Sequence, residues 1–199
     1  MLTLDKFSCT KANSNPLSLS IYACSTIQVK SLSKNNASKF LHTIAGLSKP
    51  ELGKIIWEKT KNASKNTLYI KNLSGLYNTM TVMEHLYYWA KIYNTSEAIS
   101  SAIKYFSLKD ILHYKPKELD NSQHKQILLS KTLIHPMDIW ILDAPFANLN
   151  KESCTAISML INIKCSNGGL IFIANTNSLQ HKWNLQINLD NGEILTSNL

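Results

Sequence analysis

Arginine is absent from this 199-residue sequence, in which all 21 basic residues are lysine. Recognition of nucleic-acid bases and phosphates relies heavily on the planar, bidentate guanidinium group, which lysine does not reproduce. The formal net charge of +8 therefore gives weak support to a nucleic-acid partner, and no basic motif interleaved with aromatic residues adds to it. We expect no nucleic-acid binding, whereas a lysine-rich surface would favour an anionic membrane face.

Long apolar runs and paired cysteines are also missing. No stretch approaches the roughly 20 apolar residues that a membrane-spanning helix needs, and the first residues lack the basic-then-apolar layout of a signal peptide. The four cysteines are scattered, with no C-x-x-C pair and no histidine at metal-ligand spacing, which indicates free thiols. The sequence predicts a protein that stays in the cytosol.

The apolar pattern predicts one α/β domain over residues 1–199, opening with short strands. Alternating apolar residues at 2–4 and 17–21 indicate edge strands, and residues 27–29 indicate a third strand. A polar stretch follows, and a helical pattern begins at Lys39. Strand, polar loop and helix in this order are the context that a phosphate-binding loop requires.

The middle and the last third of the chain differ in pattern. Residues 73–120 are predicted to form an inserted helical lobe, in which Thr81 and Glu84 match a helix capping box. Helical and strand patterns then alternate, with buried strands at 139–142 and 170–174, as in parallel βαβ units. A hairpin with an Asn-Gly turn at residues 191–192 is expected to close the domain.

Three segments resemble motifs of the ABC ATPases, in the family's order and with its separations over nearly the whole chain. Residues 46–55 (GLSKPELGKI) are similar to the stretch after the phosphate-binding helix. Residues 139–146 (IWILDAPF) are similar to the Walker B strand, and residues 119–123 (LDNSQ) occupy the place of the signature loop. Within that family, the resemblance is strongest to the ATP-binding subunit of the haem exporter of cytochrome c biogenesis.

The resemblance implies the ABC ATPase (P-loop NTPase) fold, which is α/β. It has a mainly parallel core sheet, an antiparallel N-terminal β region and an inserted helical lobe. The resemblance also implies a subunit that couples ATP and Mg²⁺ to the export of haem or a related factor. The expected partners are a second ATP-binding subunit and a membrane-spanning subunit, at the cytoplasmic face of the bacterial inner membrane.

The phosphate-binding loop falls, by this resemblance, on residues 31–38. Its members are Ser31, Leu32, Ser33, Lys34, Asn35, Asn36, Ala37 and Ser38. In a working loop, G-x-x-x-x-G-K-[ST], backbone amides and a lysine hold the phosphates and a hydroxyl binds Mg²⁺. Ala37 stands at the lysine position, so a charge-assisted contact of about 1.5–3 kcal/mol is lost. Ser38 remains as a Mg²⁺ ligand.

The other catalytic positions are altered as well. Asp143 matches the Walker B aspartate and is the second candidate Mg²⁺ ligand; the alternative is that it merely ends a strand. Ala144 stands where the family has a glutamate that polarises the attacking water, a contribution typically worth about 10²–10⁴-fold. Thr176 falls at the switch histidine, Leu73 at or near the Q-loop glutamine and Asn150 at the D-loop acid.

The signature loop differs in the same way. In the family it offers amides and a serine to the γ-phosphate on the opposite subunit. The matching residues here are Leu119, Asp120, Asn121, Ser122 and Gln123. Asp120 is expected to add negative charge facing the phosphate.

Two functional hypotheses follow from these residues. The first is an ATP-binding subunit of an exporter that resembles the haem exporter of cytochrome c biogenesis, an ATPase of the translocase class. The alternative is a catalytically inactive relative with a scaffolding or regulatory role, which the missing lysine and glutamate favour.

Overall fold

The computed structural model describes residues 1–9, 15–58, 63–72, 75–176 and 183–196. The strands are β1 (Leu2–Ser8), β2 (Leu17–Ile21), β3 (Ser25–Lys30), β4 (Leu52–Trp57), β5 (Thr67–Ile70), β6 (Ile139–Asp143), β7 (Leu170–Ala174), β8 (Leu185–Asn188) and β9 (Ile194–Thr196). The helices are α1 (Lys34–Ile44), α2 (Val82–Tyr93), α3 (Ala98–Tyr105), α4 (Asn121–Ile134) and α5 (Lys151–Ser166). Short 3₁₀ turns lie at Ala63–Asn66, Lys109–Ile111 and Pro116–Glu118.

Two sheets organise the chain. A six-stranded sheet has the order β5-β6-β7-β3-β8-β9, parallel except for the antiparallel pair β8–β9. A three-stranded antiparallel sheet has the order β2-β1-β4. The predicted α/β architecture, a mainly parallel core sheet with an antiparallel N-terminal region, is confirmed.

The larger sheet is covered on both faces. All residues of β6 and β7 are buried, as expected for parallel strands between two layers. Side chains alternate along β6: Ile139 and Ile141 pack with α1 and the three-stranded sheet, whereas Trp140 and Leu142 pack with α2, α4 and α5. The central strands therefore lie between two separate cores. In open α/β sheets, ligands bind at the carboxyl ends of such strands.

Helices α2 and α3 lie within residues 73–120, the region that the sequence predicts as a lobe, and α4 follows this region. The Thr81–Glu84 capping box is present: the Thr81 side chain accepts from the Glu84 amide and Glu84 reaches back to the Thr81 amide. Val82, Leu86 and Trp89 of α2 are buried in the same core as α3 and α4. Within the described ranges, no helix is both long enough and apolar enough to cross a bilayer.

Three predictions about individual elements are wrong. β1 is the central strand of its sheet, not an edge, because β4 pairs along its second side. Helix α1 begins at Lys34 instead of Lys39. A side chain caps its first turn, and the residues of that turn are polar and exposed, so they do not show the apolar spacing that marks a helix in the sequence. The closing hairpin is present, but its loop is longer than a two-residue turn, and of its residues only Gly192 has a positive φ, 74°.

Candidate functional site

The loop after β3 closes on itself at the start of α1. Ser33 is the N-cap, and its side chain accepts a hydrogen bond from the Asn36 amide at 3.4 Å. The Asn36 and Ala37 amides also point to the Ser33 carbonyl, at 3.1 and 3.2 Å. These are amides that a phosphate-binding loop would present to its ligand. In this structure both amides instead donate to Ser33, as in an ordinary capped helix.

A carboxylate of the chain itself holds the first part of the same loop. Asp190, in the β8–β9 hairpin, accepts from the Ser31 hydroxyl at 2.8 Å and from the Leu32 amide at 2.7 Å. The Ser33 amide donates to the Ser31 Oγ at 3.2 Å. The hairpin therefore restrains the start of the predicted phosphate-binding loop.

Ala37, at the lysine position, faces the interior. It is 1% exposed and packs in the core that α1 shares with the three-stranded sheet. Lys39, the next lysine along α1, is held in a salt bridge with Glu51 at 3.2 Å. Lys34 and Asn35 are exposed. The loop therefore gathers no cation equivalent to the family's lysine.

Ser38, Asp143 and Asn175 form a hydrogen-bonded group where β6 and β7 end. The Ser38 hydroxyl donates to Asp143 Oδ2 at 2.7 Å. The Asn175 amide nitrogen donates to Asp143 Oδ1 at 2.6 Å and to Ser38 Oγ at 3.0 Å. The fold thus brings together the two residues predicted as Mg²⁺ ligands, and it adds Asn175, to which the sequence interpretation gave no role. Its position directly after a buried parallel strand was the signal that could have identified it.

Ala144 leaves the site without a carboxylate beside Asp143. Its backbone is left-handed, with φ 49°, its amide donates to the Ala174 carbonyl at 2.9 Å, and its side chain is buried. Thr176 follows Asn175 and is half-buried; its hydroxyl cannot serve as an imidazole. Leu73, at the predicted Q-loop position, lies outside the described residues.

The signature segment serves to start helix α4. Asp120 is the N-cap: its carboxylate accepts from the Gln123 amide at 2.8 Å, and the Gln123 side chain accepts from the Asp120 amide at 3.0 Å. The helix starts at Asn121, earlier than the predicted Gln123, and Leu119 and Ser122 are half-buried beside it. The Asp120 charge therefore interacts favourably with the amino end of a helix. Asn150, at the D-loop position, likewise caps α5 through the Ser153 amide at 2.8 Å.

A cavity of about 460 Å³ opens beside the Ser38–Asp143 pair. It is lined by Ser38, Lys39, His42, Ser48, Tyr69, Lys71, Asn72 and Asp143. Burial, with a smaller effect of the Asp143 charge, raises the pKa of Tyr69 to about 12. Sequence reasoning missed His42, Tyr69, Lys71 and Asn72, although the last three end or follow strand β5, the neighbour of β6.

Lys125 lies behind this cavity. It belongs to α4 and is 0% exposed, and its Nζ donates to Asn72 Oδ1 at 3.0 Å. Burial lowers the pKa of Lys125 to about 8, although the negative charge of Asp143 favours the ammonium form. No sequence signal marked it, since lysine is rarely fully buried.

Comparisons with known proteins place these features in a family. Residues 37–147 match the ABC transporter family. The cytochrome c biogenesis ATP-binding export protein CcmA of Rickettsia felis is 31% identical over 182 residues, which cover 87% of this chain and 92% of the relative. The protein of the same name from Wolbachia pipientis is 26% identical over 90% of this chain and 91% of that protein.

Solved structures agree with the fold. An ATP-binding subunit of an ABC transporter superposes with a TM-score of 0.82 at 19% identity, covering 98% of this chain and 90% of that one. A dimeric post-hydrolysis state of the ATP-binding cassette MJ0796 with ADP and phosphate superposes with a TM-score of 0.82 at 15% identity, covering 98% of both chains. The predicted family resemblance is confirmed. This chain belongs to the ABC transporter family and, within it, to the cytochrome c biogenesis ATP-binding export proteins.

Proposed function

We propose that the chain is the ATP-binding subunit of an exporter that serves cytochrome c biogenesis and moves haem or a related factor. The observation that carries this proposal is the Ser38–Asp143 pair at 2.7 Å, set where the central parallel strands end. The chain also spans 92% of a relative with that export role in its name. Coupling ATP to export is the activity that this combination supports best.

Mg²⁺ would be held by Ser38 and Asp143. A hydroxyl and a carboxylate are the hard oxygen ligands that this ion prefers, and one or two protein ligands are usual for it. The two oxygens already converge, so the residues fit the ion. Among the described residues there is no cluster of three histidine, cysteine or acidic side chains that could hold a metal.

ATP would have to meet the loop at residues 31–38 in a changed conformation. The Asn36 and Ala37 amides become available to phosphate only if their bonds to Ser33 open, and the Ser31 and Leu32 anchor on Asp190 restrains that opening. When bound, Mg²⁺ supplies charge neutralisation of the phosphates. The residues of this chain would bind and orient the nucleotide with fewer charged contacts than the family pattern provides.

The proposed membrane-spanning partner would dock on one face of α2. This docking face consists of large side chains between 45% and 57% exposed on α2 and beside it: Tyr77, Tyr87, Tyr88, Ile92 and Tyr114. Tyrosine is enriched at protein interfaces because it buries a large ring and keeps a polar tip. Docking there would hold the chain at the cytoplasmic face of the bacterial inner membrane, paired with a second ATP-binding subunit.

Co-purification tests this arrangement. The chain is expressed together with the membrane-spanning subunit encoded for the same exporter, and the complex is captured through that subunit. We expect the wild type to be retained and Tyr87→Ser/Tyr88→Ser to be lost. Tyr22→Ser is the control. Tyr22 is 64% exposed and follows β2 of the three-stranded sheet, so it is not part of the docking face. Absence of the wild-type chain from the captured complex would disprove the proposal.

A second candidate function is a non-hydrolysing subunit that scaffolds or regulates the exporter. Ala144 provides no carboxylate to orient water, and Ala37 provides no charge to the phosphates. Both are buried. Phosphate release should be measured with and without Mg²⁺ for the wild type and for Asp143→Asn. A Mg²⁺-dependent activity that disappears in Asp143→Asn would exclude this candidate; no release above background would support it.

A further inference from the structure

A buried lysine stands behind the candidate site without a role in the proposed function. Lys125 is 0% exposed, although it is charged, and it projects from α4 toward the carboxyl end of β5. A buried ammonium needs hydrogen-bond acceptors and a nearby negative charge. Asn72 Oδ1 accepts one of its protons at 3.0 Å.

Asp143 is the negative charge that favours this ammonium. The carboxylate is 6% exposed, and both its oxygens accept from neutral groups, Ser38 and Asn175. The two salt bridges found in the described part of the chain, Lys39–Glu51 and Lys164–Asp138, do not involve it. Ile70 of β5 pairs with Leu142 of β6, so Asn72, which accepts from the Lys125 ammonium, follows β5 on the side of the sheet where Asp143 ends β6.

The position of Lys125 also links two parts of the molecule. Asn72 and Asp143 both line the cavity of about 460 Å³. On α4, Lys125 follows Gln123, which caps the helix together with Asp120. Lys125 therefore connects the start of α4, next to the signature segment, with Asn72 at the wall of the cavity.

We propose that Lys125 is a positioning residue of the candidate site: it holds Asn72 at the cavity wall and is the internal countercharge of Asp143. The countercharge is inferred from the burial of both charged groups and from the contact of Lys125 with Asn72, at the cavity that Asp143 also lines. The consequence of this countercharge for a metal rests on the proposed function. A divalent cation at Ser38 and Asp143 would have to share the Asp143 carboxylate with the Lys125 ammonium. The two like charges repel, and burial of Lys125 limits the screening of this repulsion by water.

A double-mutant cycle tests the countercharge without any ligand. Lys125→Met and Asp143→Asn are made singly and together, and urea denaturation gives the unfolding equilibrium constants. We expect Lys125→Met to weaken folding by about a hundredfold, because it leaves a buried carboxylate unbalanced. The double variant should lose at least about fivefold less than the product of the two single losses. Lys125→Arg, which keeps the charge, should restore most of the loss.

Lys131 on the same helix provides the matched control. Lys131 is half-buried, and its Nζ lies over the Trp89 ring, 4.3 Å from the centroid. Losses from Lys131→Met and Asp143→Asn should simply multiply. Independent losses for Lys125→Met and Asp143→Asn would overturn the proposal. If Lys125→Met does not fold, the same cycle is run with Lys125→Gln, which is neutral and keeps a polar tip for Asn72.

Binding of Mn²⁺, followed by the electron paramagnetic resonance signal of the free ion, tests the consequence. We expect Lys125→Met and Lys125→Gln to bind Mn²⁺ about tenfold more tightly than the wild type, and Lys125→Arg and Lys131→Met to match the wild type. Equal affinities for the wild type and the neutral variants would overturn the proposed competition. If no variant binds Mn²⁺, the metal site in the proposed function fails, while the double-mutant cycle still decides the countercharge.

Discussion

Asp143 supports the folded state whether or not it binds a metal. It accepts from Ser38 and Asn175 and balances Lys125. Asp143→Ala removes the carboxylate that accepts from both donors and that balances a buried ammonium, so we expect the free energy of unfolding to fall by about 3 kcal/mol. Urea denaturation measures this change. Asp143→Asn keeps an acceptor for Ser38 and should cost less than Asp143→Ala; an equal cost for both would contradict this account.

Histidine 135 makes stability depend on pH. Burial, and then the charge of Lys131, lowers its pKa to about 4, so between pH 4 and 6.5 the unfolded chain binds a proton that the folded chain does not. Stability from this residue is therefore complete above pH 6.5 and is lost as the pH falls toward 4. We expect the free energy of unfolding to be about 2 kcal/mol lower at pH 5 than at pH 7 because of His135.

Denaturation curves at both pH values test this effect. His135→Gln should reduce the difference between pH 7 and pH 5, whereas His113→Gln, at an exposed position, should leave it unchanged. His85, whose pKa burial also lowers, contributes a smaller slope of the same sign. A pH dependence that His135→Gln leaves intact would show that other groups cause it.

At the scale of elements, the β8–β9 hairpin acts on the amino end of α1. Asp190 holds the Leu32 amide and the Ser31 hydroxyl through charge-assisted bonds. In Asp190→Ala, we expect hydrogen exchange at the Leu32 amide to be about tenfold faster, while the exposed position keeps the global loss of stability below about 1 kcal/mol. Nuclear magnetic resonance exchange rates measure this. Asp110→Ala, at an exposed position on another segment, should leave the Leu32 amide unchanged.

The elements that could be predicted from sequence are those with a local signal. β6 and β7 were visible as short apolar runs, and the Thr81–Glu84 box marked the start of α2. The start of α1 was missed because Lys34 and Asn35 are polar and exposed, and its cap, Ser33, is a common residue type. β1 was placed at an edge because its pairing with β4 is made by residues far along the chain, which no local pattern records.

The same limit applies to the candidate site: only residues with a local sequence signal can be predicted. Ser38 and Asp143 follow from motif spacing, and the fold places them together. Lys125 could not be found, because a lysine on a helix is normally read as surface and its burial depends on packing between α4 and β5. Asp120 was interpreted as a charge facing phosphate, although its contacts are those of a helix cap.

At the scale of the whole molecule, the lysine and glutamate positions of the family pattern, 37 and 144, are both alanine, so one substitution supplies only one of the two side chains. We expect Ala144→Glu to show no phosphate release above background, because residue 144 is buried with φ 49° and Ala37 still supplies no charge. Adding Ala37→Lys places an ammonium in the core around α1, so the double variant should lose stability by about 2 kcal/mol or more. Phosphate release and urea denaturation of both variants check this. Mg²⁺-dependent release by Ala144→Glu alone would contradict it.

The closed group of Ser38, Asp143 and Asn175 also bears on how such a chain changes over generations. Replacing Asp143 or Ser38 breaks hydrogen bonds that stabilise the fold. Selection for a stable subunit would therefore retain both residues even without selection for catalysis. Alanine at 37 and 144 satisfies the packing around it, so the fold alone gives no reason for a lysine or a glutamate at these positions. Serine at 38 and aspartate at 143 are therefore explained by folding alone, and their presence is no evidence by itself that the chain hydrolyses ATP.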